Sequence, residues 1–200
     1  PLVDFTVSKL SVEFIPYEYG NNIIYEDKSI TVNTVPLKHR KSCCGFVFRE
    51  KEKLRHINRE MIDFYGIPLC YLNSIKEGND YVKTDGTVIP NERLTTAPSP
   101  SRAYAFISDT LPLKAVANEV KGIDLLYHEA TFDSSLKDRA KETCHSTAAD
   151  AANIAKMAGV KKLMIGHFSS RYTDDSLLLK EAQAVFPETI LANEGLTVNL

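Results

Sequence analysis

The feature that most constrains this chain is a repeated junction. An apolar run of strand type ends, and the residues just past it can bind a metal or move a proton. Tyr104 to Ile107 leads into Ser108-Asp109-Thr110, Ile123 to Tyr127 into His128-Glu129-Ala130-Thr131, and Lys162 to Ile165 into Gly166-His167. The intervening segments have helical character. Leu113, Val116 and Val120 share one face of residues 112–121, and an alanine-rich stretch runs from Ala148 to Ala158. Strand, helix, strand, helix, strand predicts an α/β fold, and open sheets of this kind bind ligands at the carboxyl ends of their strands. Thr147 and Asp150 fit a capping pair at the start of the alanine-rich helix, which fixes His145 at a helix entrance.

The rest of the chain frames this unit. Residues 1–50 have β character. Phe5-Thr6-Val7, Ile23 to Tyr25, Ile30 to Leu37 and Gly45 to Phe48 are strand-like, with turn signals at Asn21-Asn22 and Asp27-Lys28. The run from Ile30 delivers His39, so His39 sits past a strand as Asp109 and His167 do. Residues 49–64 are expected to be helical, with Leu54, Ile57, Met61 and Phe64 on one face. From Tyr65 to Pro100 the pattern breaks at Gly66, Pro68, Gly78, Gly86, Pro90 and Pro98. Its large apolar residues, among them Leu69, Tyr71, Ile75 and Tyr81, argue for a structured arm rather than a linker. Residues 133–142 are polar and suit a loop or short helix. Residues 175–186 form a last helix stopped by Pro187, and Ile190-Leu191-Ala192 and Leu196-Thr197-Val198 suit terminal strands.

At 44% apolar residues, 200 residues are enough for one domain with a real core. The balance of 24 basic and 26 acidic residues carries no overall signature of a nucleic-acid binder, although local basic patches act inside a neutral total. No run approaches the length of a membrane span, and no secretory leader is visible. Cys43, Cys44, Cys70 and Cys144 show no CxxC pairing and are expected to be free thiols of a cytoplasmic protein. A chain that opens at Pro1 in strand-like sequence, without methionine, is expected to be a fragment.

Four of the five histidines, His39, His128, His145 and His167, lie at strand ends or helix starts, while His56 falls in a charged segment and is expected to be exposed. Zinc takes imidazole nitrogens and carboxylate oxygens, and a carboxylate can bridge two ions. His39, Asp109 and His167 are therefore candidate metal ligands with Asp109 as the bridge, although three donors are too few for two catalytic zinc ions. Glu129 beside His145 suits a general acid or base, the carboxylate fixing the tautomer of the imidazole. Arg171 could hold a phosphate with its planar fork. Each residue also has an ordinary structural use: a cap, a helix entrance, an exposed guanidinium. A Cys144–His145 nucleophile is disfavoured because adjacent residues in an extended segment point apart, and no glycine-rich phosphate loop is present.

Taken in order, these blocks resemble the carboxyl-terminal portion of the ribonuclease Z family, tRNA 3′-processing endonucleases of the metallo-β-lactamase superfamily. Ser108-Asp109-Thr110 is similar to the family's aspartate metal motif, and His128-Glu129-Ala130-Thr131 and His145-Ser146-Thr147 to its HEAT and HST motifs. Gly166-His167 through Tyr172, and Leu37-Lys38-His39 with Gly45-Phe46, are similar to the blocks carrying metal histidines. The resemblance implies a partial metallo-β-lactamase domain over residues 1–200. This is the second half of an αββα sandwich, two mixed sheets with helices outside, with residues 49–100 containing a protruding tRNA-binding arm. It implies two zinc ions per complete site, with His39 on one, His167 on the other and Asp109 bridging. It further implies a Glu129–His145 relay, precursor tRNA as substrate and a homodimer. The family's His-x-His-x-Asp-His run does not occur in these residues, so the metal site is incomplete in this chain and the chain alone is expected to be inactive. Two other readings remain: a general phosphodiesterase of the same fold, and a non-catalytic interaction module.

Overall fold

The structure, a computed structural model, describes residues 13–16, 20 and 22–200. The strand expected at Phe5-Thr6-Val7 and the first residue of the Asn21-Asn22 turn lie outside the described residues. The β-branched runs that follow form an antiparallel meander of β1 (Ile23–Glu26), β2 (Ile30–Pro36) and β3 (Cys44–Glu50).

Residues 52–100 then leave the sheet and build a small lobe. It contains β4 (His56–Ile57), α1 (Arg59–Tyr65), α2 (Leu72–Lys76), β5 (Tyr81–Val82), β6 (Val88–Ile89), α3 (Asn91–Leu94) and β7 (Thr95–Thr96). The lobe has its own buried cluster of Ile62, Ile67, Ile75, Ile89 and Leu94. The side chain of Asn91 cross-links it, donating to the carbonyls of Ile75 and Asn79 and accepting from Thr95. The continuous helix expected over 49–64 is not formed. Asn58 caps α1 through Met61 N, and the preceding backbone is already used, with Glu50 N bonded to Arg102 O and Arg55 N to Lys76 O. Leu54 and Phe64, placed by their spacing on a buried face, are exposed instead. His56 is exposed as expected, though on β4 and not on a helix.

The chain re-enters the sheet with β8 (Ala103–Ile107), followed by α4 (Lys114–Glu119), β9 (Leu125–Glu129), α5 (Lys137–Thr143), α6 (Ala148–Ala158), β10 (Lys162–Gly166), α7 (Ser176–Val185) and β11 (Thr189–Leu191). The seven strands order as β1-β2-β3-β8-β9-β10-β11, antiparallel up to β8 and parallel beyond it. Polar residues 133–142 form a single 3-10 turn running into α5. The terminal strand expected at Leu196-Thr197-Val198 is not formed, because the chain turns at Asn193 to Leu196 after leaving β11.

One face of the sheet is covered. Val47, Ala105, Ile107, Leu126, Leu163 and Ile165 pack under α4, α6 and α7. The alanines of α6 let it lie close to β9 and β10, and Thr147 and Asp150 close its capping box. The other face carries a stripe of aromatic rings. Phe48 stacks on Tyr104 at 5.8 Å and Phe106 on Tyr127 at 4.6 Å between ring centroids. Phe48 and Phe106 remain 36% and 37% exposed. One sheet with helices on one side is half of a four-layer αββα arrangement. Among the described residues, no helix is long and apolar enough to cross a membrane.

Candidate active site

The register brings the chemistry to one edge. Ile107 on β8 is level with His128 on β9 and Ile165 on β10, so Asp109, Glu129 and His167 leave the sheet together. β2 ends at the same edge because Pro36 pairs with the first residue of β3, which runs opposite to β8, and His39 follows three residues later. The crossing is tight: a Cβ on Gly45 would stand 2.8 Å from the carbonyl oxygen of Phe106.

Glu129 is the centre of the arrangement. It is fully buried and its carboxylate accepts from Thr110 N at 2.5 Å, Thr131 Oγ1 at 2.6 Å, Ser146 N at 3.1 Å and His145 Nδ1 at 3.0 Å. A carboxylate offers about four lone-pair sites, and these four donors fill them. Although its oxygens lie within 4.8 Å of donor atoms on His145 and His167, Glu129 has no capacity left for a metal. It orients instead. His145 Nδ1–H is held by Glu129, which leaves Nε2 as the nitrogen open to a substrate.

The candidate metal ligands are oriented by the same logic. His39 Nδ1 donates to the carbonyl of Cys144 at 3.1 Å, leaving Nε2 free. Thr131 spends its hydroxyl proton on Glu129 and so accepts from His167 Nδ1 at 3.0 Å. His167 Nε2 then stands 3.4 Å from Asp109 Oδ1. Donor atoms of His39, Asp109 and His145 also lie within 4.8 Å of one another. Among the described residues, three non-glycine residues have positive φ, and all belong to this site: Asp109 at 56°, Cys144 at 63° and His167 at 60°. The left-handed region costs an ordinary residue about 1–2 kcal/mol, and such strain concentrates where geometry serves a site. Two imidazoles with Nδ1 tied back and Nε2 presented, beside a half-exposed carboxylate, fit a zinc donor set.

Neighbouring groups narrow the chemistry. The Cys43 thiol donates to the Asp109 carbonyl at 3.4 Å, and burial, with the Asp109 charge adding to it, pushes its pKa up. A thiol kept protonated is a poor nucleophile. Cys144 caps α5 in the left-handed conformation, and its carbonyl serves His39. His128 points into the core between Ile107 and Ile165. It donates from Nδ1 to the Glu129 carbonyl at 2.8 Å, and burial holds its pKa below 6.5, so it stays neutral. Arg171 lies over the Phe132 ring at 5.1 Å, and the edge of that ring meets His145 at 6.4 Å. Tyr172 donates to Asp133 at 2.6 Å and ties the segment after β10 to the segment after β9.

All six residues singled out by sequence thus fall on or beside one sheet edge. Sequence reasoning missed Thr131 as the link between Glu129 and His167, and Cys144 as the cap that aims a carbonyl at His39. Thr131 stands two residues past Glu129 and closes the His128-Glu129-Ala130-Thr131 motif, and those were its signals.

The structural resemblance defines a class. The human tRNase Z short form covers 90% of this chain at a TM-score of 0.51 and 21% identity, with 46% of its own chain matched. The metallo-β-lactamase-fold protein YhfI of Bacillus subtilis covers 86% at 0.52 and 18%, with 50% matched. The fold is that of the metallo-β-lactamase proteins. No family model matches the chain, but curated relatives do. Ribonuclease Z of Bacteroides fragilis is 52% identical over all of this chain, which spans 67% of that protein. Ribonuclease Z of Bacteroides thetaiotaomicron is 49% identical, again over the whole chain and over 64% of its own length. The chain belongs to the ribonuclease Z family of endoribonucleases and spans about two thirds of the length of these relatives.

Proposed function

We propose that the whole protein is a zinc-dependent endoribonuclease that removes the 3′ trailer from precursor tRNA by hydrolysing one phosphodiester. The observation that carries this reading is the buried Glu129 carboxylate, which fixes His145 beside the Asp109–His167 pair. Zinc, when bound, supplies Lewis acidity to the phosphate and a nucleophile near neutral pH. His39, Asp109 and His167 would hold it. Catalytic zinc takes about three protein ligands per ion, so further ligands would come from chain beyond these residues. The exposed aromatic face of the sheet supports the packing of further chain against it.

In this reading His145 Nε2 gives a proton to the leaving 3′ oxygen, and Glu129 stabilises the imidazolium before transfer. Arg171, held over Phe132, contacts a phosphate of the RNA. The lobe at residues 52–100 grips the tRNA body away from the reaction. Free thiols at Cys43, Cys44, Cys70 and Cys144 suit a cytoplasmic protein, and the protein acts as a homodimer in this reading.

The test is cleavage of a precursor tRNA by the whole protein, with the product ends mapped. His145→Ala should depress turnover while zinc content stays intact, and loss of zinc in that variant would remove His145 from the proton-transfer role. Deleting the lobe should abolish precursor cleavage and spare a small phosphodiester. Retention of both activities would favour a general phosphodiesterase.

A further inference from the structure

Beside His145, on the side of α5, lies a cavity of about 400 Å³ that none of the roles above uses. This is within the size range of small-molecule sites. Its apolar wall is Leu111-Pro112-Leu113, the segment that follows Asp109-Thr110. Helix α5 contributes Lys137 and Lys141 to the same lining, and Lys38, the residue before His39, is part of it too. All three lysines are exposed, and none has an ion-pair partner among the described residues. Two carboxylates, Asp138 and Asp150, also border the space, the latter closing the capping box with Thr147 through Oδ2, so three ammonium groups stand against two negative charges.

An apolar tripeptide and three unpaired amines in one lining suit a flat base with an attached phosphate. Lysine acts there as a point charge toward phosphate oxygens. His145 is part of the lining and fixes the orientation, because the group nearest Nε2 is the one whose oxygen receives the proton. We propose that this cavity is the subsite for the base and 5′-phosphate of the ribonucleotide that carries the leaving 3′ oxygen. The assignment rests on the reading of His145 as the group serving that oxygen. The base lies against Leu111-Pro112-Leu113, the 5′-phosphate meets Lys137 and Lys141, and the 3′ oxygen points to His145.

The test is calorimetric titration of the whole protein with adenosine and cytidine 5′-monophosphates, inorganic phosphate and adenosine. Each mononucleotide should bind saturably, and at least about tenfold more tightly than phosphate or nucleoside alone, a difference well within calorimetric resolution. The double variant Lys137→Glu/Lys141→Glu changes two exposed residues and should keep its melting temperature while losing about tenfold or more in that affinity. Stripping the metals with a chelator should leave mononucleotide binding in place. Phosphate binding as tightly as the mononucleotides, an unchanged affinity in the double variant, or loss of binding with the metals would each overturn the subsite. Precursor-tRNA cleavage separates this failure from that of the functional reading. If the whole protein cleaves precursor tRNA and the double variant keeps its KM, the subsite fails alone. If it does not cleave but mononucleotide binding depends on the two lysines, the subsite stands and the tRNA reading fails.

Discussion

Thr131 Oγ1 and His167 Nδ1 are 3.0 Å apart, and the same hydroxyl donates to Glu129 Oε2 at 2.6 Å. One threonine therefore sets which nitrogen of His167 faces Asp109. Thr131→Val keeps the shape and removes the link, so if His167 holds zinc as proposed, zinc affinity should fall about 10–100-fold, the usual effect of losing a group that orients a metal ligand. Thr131→Ser should restore most of it. Competition with a metal indicator reads the affinity directly, and equal affinities in all three proteins would dismiss the link.

Glu129→Gln tests the hub. An amide presents one acceptor and one donor group where four donors converge, so it must leave buried N–H or O–H groups unpaired. Stability should drop by about 1–3 kcal/mol for each donor left unsatisfied. Turnover should fall about 10²–10⁴-fold, the usual contribution of acid–base assistance. Denaturant melts and single-turnover cleavage by the whole protein measure the two effects. A variant that melts earlier but turns over normally would show that Glu129 is structural only.

The junctions of strand and chemistry were visible in the sequence because a parallel strand buried on its covered face is a short apolar run, and its first polar residues mark the edge. The α6 cap was visible for a similar reason, since Thr147 and Asp150 report a purely local geometry. The region from Arg49 to Phe64 was not. Its helical spacing was genuine only from Arg59 on, and the earlier residues were diverted by partners distant in sequence, Arg102 for Glu50 and Lys76 for Arg55. The role of Cys144 was hidden because nothing in a cysteine's identity announces a left-handed cap. The terminal run Leu196-Thr197-Val198 has strand composition, but a turn at Asn193 takes it away from β11.

Gly166 lies directly before His167, and a Cβ there would come within 2.6 Å of the Tyr127 hydroxyl and 2.9 Å of its ring. Gly166→Ala must therefore displace the Tyr127 ring or the end of β10. Overpacking of this kind costs about 1–3 kcal/mol, and the displaced strand end carries His167, a candidate metal ligand. The melting temperature and zinc affinity should both fall. Adding Tyr127→Phe, which removes the hydroxyl, should recover part of the melting temperature. Failure of that double variant to recover any would show that the strain is not on Tyr127.

His128 makes stability depend on pH. Burial, the main cause, places its folded pKa below the unfolded value of 6.5. Below that pH the unfolded chain binds a proton that the folded protein refuses. Stability conferred by a neutral His128 is thus fully present above pH 6.5 and is lost as pH falls toward the folded pKa. The slope expected from one such group is about 1.4 kcal/mol per pH unit. Urea melts between pH 7.5 and about 5 should show that loss. His128→Asn retains a side-chain donor for the Glu129 carbonyl and has no imidazole to titrate. It should be less stable than the parent at pH 7.5 because a smaller side chain leaves a cavity, but its stability should fall less steeply on acidification. Parallel pH profiles for the two proteins would assign the slope to another group.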